Sequence, residues 1–228
     1  MMADLPAYTA GILAGIPVTL LVLALAGTQR RAAAWSGALL GAWGLFGGFF
    51  AGCYWSPERL SGGVWGFEDV LFNAQMGVVV WTAGSLPWRH RLSLVLVPGA
   101  LLRRAAALTL PMFAALLLAA SAGVSPMTTV NAAALLVLVA GAGQPWRLGL
   151  AASGAVGYAL IYLPGLWLLF ALRPELPAAW TAGQPWTAPL LAGLPAGELA
   201  WATLCAAGHA VGFAWVAQAR LAPVHARP

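Results

Sequence analysis

Only six residues of this chain are acidic, and three of them, Glu68, Asp69 and Glu198, fall about one turn inside strongly apolar segments. A carboxylate placed in hydrocarbon costs on the order of 3 kcal/mol, so it normally faces the interior of a helix bundle and has a task there. A carboxylic acid held in such a place is what proton donation to an apolar substrate requires. The alternative is that these acids sit in the headgroup region and complement helix N-termini, where negative charge is favourable. Asp4, Glu58 and Glu175 belong to the N-terminal tail and to outer loops.

Helical spacing groups other residues with the acids. At 3.6 residues per turn, Glu198, Trp201, Cys205, His209 and Gly212 share one face. Glu68, Phe72, Gln75 and Val79 share another, with Asp69, Asn73 and Met76 beside it. If the two faces meet, they form a slot that is mostly apolar, with polar groups at one end. Such a slot suits a long hydrocarbon whose end is protonated. In it Asn73 and Gln75 would orient groups, and the Trp201 indole would stabilise a carbocation through its π face. Core packing accounts for Trp201 equally well. His209 is either a packed, hydrogen-bonded side chain or a proton acceptor. Tyr158 and Tyr162, one turn apart, either close the same slot or fill the interior.

Several chemistries are excluded. The chain has no lysine, so it cannot hold retinal as a Schiff base. His209 is the only histidine in an apolar segment, which rules out bis-histidine haem and a di-iron cluster. Cys53 and Cys205 form no CxxC pair, and no metal site is expected. Neither GxGxxG nor GxxxxGK[ST] occurs, so no nucleotide or flavin site is implied and no cofactor is expected.

The elements that must position these residues follow from composition. Hydrophobic residues make up 61% of the 228, and charged residues 7%; soluble domains carry about 25% charged residues. The chain is therefore expected to be a single all-α domain over residues 1–228, a polytopic membrane helix bundle. About seven spans of roughly 20 residues fit: Tyr8–Gly27, Trp35–Tyr54, Gly66–Leu86, Ala105–Ala122, Thr128–Gly143, Leu148–Leu172 and Ala196–Gln218. Leu92–Leu102, broken by Pro98-Gly99, reads as an interfacial segment. Pro111 and Pro164 are expected to kink their spans. The first span lacks a basic n-region and reads as retained. Gly41, Gly44, Gly47 and Gly48 on the second span read as close helix packing.

Seven crossings place Arg30, Arg31, Arg89, Arg91, Arg103, Arg104, Arg147, Arg220 and Arg227 on one side and only Arg59 and Arg173 on the other. That bias puts the N-terminus outside and the C-terminus in the cytoplasm. The net charge of +5 lies between apolar spans and does not signal nucleic acid. A faint echo between Leu60–Asp69 and Leu190–Leu199 suggests a three-helix repeat, with halves at about 8–88 and 128–218 joined by a linker helix.

The run Tyr54-Trp55-Ser56-Pro57 through Gly66-Phe67-Glu68-Asp69-Val70-Leu71-Phe72 resembles the first conserved block of the membrane-embedded, flavin-independent lycopene cyclases of the heterodimeric or fused type. Leu194-Pro195-Ala196-Gly197-Glu198-Leu199-Ala200-Trp201 resembles their second block. The stretch from Arg147 through Tyr162 and Pro164-Gly165 to Trp180 resembles the region before it. In that family the signature is proline, any residue, glutamate, then glutamate or aspartate. Here Glu68 and Asp69 match both acids of the first copy, with Gly66 in place of proline. In the second copy Pro195 and Glu198 match, and Gly197 stands where the first glutamate belongs.

The resemblance implies redox-neutral cyclisation of a carotenoid or related polyprenoid in a bacterial inner membrane. Glu68 would be the general acid, and Asp69 and Glu198 partner carboxylates or the base. Phe72, Asn73, Gln75, Trp201, Tyr162 and His209 would contact the substrate. The alternative is a non-catalytic cyclase-like subunit that binds a carotenoid, quinone or lipid and docks with partner membrane subunits. A small-solute transporter fits less well, because acids and arginines are lacking near the bilayer centre.

Overall fold

A computed structural model describes residues 7–45, 66–124, 126–141, 143–177, 190–191 and 193–222. Among them are seven α-helices: α1 (Ala7–Leu25), α2 (Arg30–Gly44), α3 (Phe67–Ser85), α4 (Pro98–Ser121), α5 (Pro126–Gly141), α6 (Pro145–Leu172) and α7 (Ala196–Val216). The helices α1, α4, α6 and α7 are long and apolar enough to cross a membrane. With two acids and two side-chain amides, α3 is not one of these four, and it lies inside the bundle against α1, α2, α6 and α7. At 15 and 16 residues, α2 and α5 are shorter. The second half of the expected second span, with Gly47 and Gly48, lies outside the described residues.

One expectation is corrected. The Pro98-Gly99 pair does not break the chain but opens α4, so that helix begins at Pro98 rather than Ala105. Proline suits the first helical position, where its missing N–H costs no intrahelical bond. The segment before it forms a short antiparallel pair between β1 (Leu92–Ser93) and β4 (Arg220–Leu221). Pro111 and Pro164, like Pro17 in α1, lie within helices that continue through them. Neighbouring helices can compensate the lost backbone bond in a membrane bundle.

Close backbone approach holds the centre together. A Cβ at Gly77 of α3 would stand 2.6 Å from the Ser36 carbonyl oxygen and 2.9 Å from Gly37 Cα of α2. At Gly44 it would run into the Asp69 carbonyl group. On the other flank of α3, a Cβ at Gly84 would meet the Leu150 carbonyl oxygen of α6 at 2.9 Å, and one at Gly154 the Val80 carbonyl oxygen at 3.0 Å. A Cβ at Gly208 would come 2.8 Å from the Ala134 carbonyl oxygen, which seats α7 on α5. Fully buried Trp81 packs edge-on against Phe213, with centroids 4.6 Å apart, and links α3 to α7. By contrast, α4 buries only Leu101, Ala105 and Leu116.

Arginines close the end of the bundle opposite the acids. Arg104 Nε donates to the Val216 carbonyl at 2.5 Å, and Arg91 donates to the Ala222 carbonyl through Nε and Nη2. Helix C-terminal carbonyls favour such cationic donors.

Overpacking the α2–α3 contact is expected to be costly. Gly77→Val should lower unfolding stability in mild detergent by about 1–3 kcal/mol. Gly99→Ala is the control, because a Cβ there meets nothing within 4 Å and should leave thermal unfolding unchanged.

Candidate functional site

The three central acids all occupy first helical turns, Glu68 and Asp69 in α3 and Glu198 in α7. Gly66, in an extended conformation, caps α3 without a side-chain bond. Ahead of α7, β2 (Leu190–Leu191) pairs with β3 (Leu194–Pro195). Gly193 there takes φ +80°, a left-handed conformation that favours glycine. Pro195 then leads into the helix, so the tight turn aims Glu198 into the bundle.

Headgroup exposure does not describe these carboxyls. Glu68, Asp69 and Glu198 are 0%, 5% and 3% exposed. Each accepts a hydrogen bond from a hydroxyl on another helix. Thr9 Oγ1 donates to Glu68 Oε1 at 2.9 Å, Tyr8 OH to Asp69 Oδ1 at 2.9 Å, and Tyr162 OH to Glu198 Oε1 at 2.6 Å. Burying an acid without such donors would cost several times more.

The α3 and α7 faces meet at one cavity of about 1230 Å³. Asp69 and Glu198 lie on its wall; Glu68 does not. The acid that the resemblance makes the proton donor is thus turned toward α1, and its neighbour faces the space a ligand would fill. Phe72, Asn73, Gln75, Tyr162, Trp201 and His209 all line the cavity. Two of these polar groups are also tied to the scaffold. Asn73 Nδ2 donates to the Asp69 carbonyl at 2.8 Å, and Gln75 Nε2 to the Ile12 carbonyl of α1 at 2.9 Å.

The aromatic side chains form a continuous cluster beside the acids. Phe72 stacks on Trp201, with centroids 5.8 Å apart and planes 20° apart. Tyr162 meets both edge-on, at 5.8 and 6.0 Å. Tyr158 stacks on Tyr162 at 5.1 Å, and Tyr8 approaches Phe72 at 6.3 Å. Such ring faces attract a cation held over them.

Deeper along α7, His209 Nε2 lies 2.8 Å from Ser36 Oγ, which also lies 2.8 Å from the Gly77 carbonyl oxygen. A carbonyl only accepts, so the serine proton goes to Gly77 and the imidazole must donate through Nε2–H. Just past the C-terminus of α6, Arg173, also on the wall, pairs with Glu175. Hydrogen bonding to that guanidinium, aided by a backbone bond, holds the Glu175 carboxyl below the usual carboxylate range.

Tyr8, Thr9 and Ser36 were not among the expected site residues. Tyr8 and Thr9 lie about sixty positions from the acids they serve. Their only sequence signal is a pair of hydroxyls at the head of an otherwise apolar helix. Among the described residues no cluster of three or more His, Cys, Asp or Glu side chains could hold a metal. No protein-family model, curated protein or solved structure matches the chain.

The two stacked tyrosines should respond oppositely to loss of their hydroxyls. Tyr162→Phe removes the Glu198 donor and should cost about 1.5–3 kcal/mol of unfolding stability. The buried Tyr158 hydroxyl has no hydrogen-bond partner among the described residues, so Tyr158→Phe should be neutral or stabilising in the same detergent melt.

Proposed function

We propose that this chain is a membrane-embedded cyclase of the lycopene-cyclase type, acting by acid–base chemistry on a carotenoid or related polyprenoid. One observation carries the reading: two distant helices bring Asp69 and Glu198 to the wall of one largely apolar cavity, beside stacked aromatic faces. The cavity exceeds the roughly 300–1,000 Å³ of ordinary small-molecule pockets, as a long isoprenoid chain requires. Its edges are within reach of lipid, since lining residues Val18, Leu102, Leu110 and Leu168 are exposed on the outside of the bundle.

In this reading a carboxylic acid, Asp69 or Glu198, protonates the terminal carbon–carbon double bond of the chain. The tertiary carbocation is attacked by the next double bond and a carbon–carbon bond closes the ring. The other carboxylate removes a proton and restores a double bond, so the product is an isomer of the substrate. Phe72 and Trp201 present π faces to the cation. Tyr8 and Tyr162 hold the two carboxyls in place, and Glu68, held by Thr9, positions the start of α3.

The same reading has seven crossings of a bacterial plasma membrane, with the N-terminus outside and the C-terminus inside. The arginine asymmetry supports it, as does the placement of Arg91 and Arg104 at the end of the bundle opposite the acids. An internal repeat finds support in the packing, because α3 and α7 each contact both other helices of their half, which scarcely touch each other.

Gly197, at a position that carries an acid in the resembling family, favours a second reading: a subunit that holds the polyprenoid without converting it. Expression in lycopene-accumulating cells, followed by chromatography of the pigments, separates the two. Cyclised ends are expected, reduced at least about a hundredfold by Asp69→Asn or Glu198→Gln and far less by Glu68→Gln. Unchanged lycopene co-purifying with the protein would instead support the holder, and absence of both would reject the carotenoid reading.

A further inference from the structure

At the end of the bundle opposite the acids, the described residues carry eight arginines and no acid. Glu68, Asp69 and Glu198 open α3 and α7, and Glu175 follows the C-terminus of α6, all at the other end. Contacts between distant segments gather the arginines on one face. Gln29 Nε2 donates to the Arg89 and Leu92 carbonyls, and Trp88 lies against Gly149 near the start of α6. The β1–β4 pair sets Arg220 across from Ser93, and Arg104 reaches both the Val95 and the Val216 carbonyls. Three of the arginines are occupied by carbonyls: Arg30 by Ala24, Arg91 by Ala222 and Arg104 by Val216. Arg89 bonds to His90. The other four, Arg31, Arg103, Arg147 and Arg220, make no side-chain hydrogen bond or ion pair among the described residues. Arg31 and Arg147 stand, besides, in the first turns of α2 and α6, the positive end of the helix dipole, and no acid shares those turns.

Four uncompensated cations on one face call for anions from outside the chain, and their surroundings say which. Leu25, Leu86, Val97 and Leu102 are exposed at the same end, and α1 and α4, which carry two of them, are long and apolar enough to cross a membrane. The arginines therefore stand where lipid-facing apolar surface ends and headgroups begin. Every basic side chain of the sequence is arginine, whose planar fork pairs with two phosphate oxygens at once. We propose that this face is a docking surface for anionic phospholipids, whose headgroup phosphates pair with Arg31, Arg103, Arg147 and Arg220. An acidic polypeptide would meet the same charges but not the apolar rim. Embedding in a bilayer is all that such docking requires, so it is independent of what fills the cavity. A phosphate held by Arg103 also tethers α4, which buries few residues of its own.

The test is the lipid selectivity of the full chain reconstituted in phosphatidylcholine bilayers. It is read by electron paramagnetic resonance, with spin-labelled phosphatidylglycerol or phosphatidylcholine as the probe. In low salt the phosphatidylglycerol probe is expected to associate about fivefold more strongly. That preference should shrink toward unity at about 1 M salt. It should also fall below about twofold when Arg31→Gln, Arg103→Gln and Arg220→Gln are combined, and largely survive the matching lysine substitutions. These three side chains are exposed and make no side-chain bond among the described residues, so packing does not depend on them. The salt series on the unaltered chain keeps the measurement decisive if the glutamine variant fails to fold. Equal association of the two probes, or a preference indifferent to salt or to the glutamine substitutions, overturns the inference. Binding of polyglutamate without any lipid preference overturns it in favour of an acidic polypeptide partner.

Discussion

The rest of the structure depends on the cost of keeping three carboxyls inside an apolar bundle. Glu68, Asp69 and Glu198 are almost wholly buried, and a buried polar group is tolerated only where its hydrogen bonds are made. Helix N-termini supply part of the compensation, since the first-turn position is electrostatically favourable for an acid. The remainder comes from outside α3 and α7. Thr9 and Tyr8 fix the start of α1 against α3, and Tyr162 fixes α6 against α7. The acids thus dictate which helices are neighbours at that end of the bundle. The aromatic cluster, made from the same helices, seals the space around them.

That constraint acts together with an uneven distribution of small residues. Glycines bring α2, α3 and α6 into backbone contact, where packing gains come from many short van der Waals contacts and not from hydrophobic transfer. No comparable seam draws α4 inward, and the edge contact of Trp43 with Phe113 is one of its few links to α2. A tight three-helix sheet of backbone on one side and a loosely held helix on the other leave a long void between them. The cavity is a consequence of where glycine is and is not.

Much of this was legible in the sequence. Each apolar run that suggested a span contains a helix, and the α3 and α7 faces drawn from a period of 3.6 do meet at one cavity. The misjudged boundary at α4 came from reading Pro98-Gly99 as a breaker when proline at a first helical position is a start signal. The exchange of Glu68 for Asp69 on the cavity wall has a different cause. Adjacent residues on a helix differ by about 100°, and only the positions of neighbouring helices decide which of two consecutive acids faces a given space. Periodicity has no access to that information. The partner hydroxyls were invisible for a related reason: Tyr8 and Thr9 of α1 pair with α3 residues 61 and 59 positions away, and no local pattern encodes a contact of that range.

Gly197 bears on how the site works as a unit. Gly197, at a position that carries an acid in the resembling family, is buried, and α7 has a single carboxyl in its first turn. On α3, Glu68 is turned to Thr9 and away from the cavity, so that helix also contributes a single carboxyl to the wall. Each of the two helices therefore places one carboxyl on the cavity wall, Asp69 from α3 and Glu198 from α7. One acid and one base are what a single proton-initiated ring closure consumes and restores. Two complete acid pairs would be redundant in one cavity. On the proposed reading, the departure from the resembling family's pattern is compatible with one working site shared between α3 and α7.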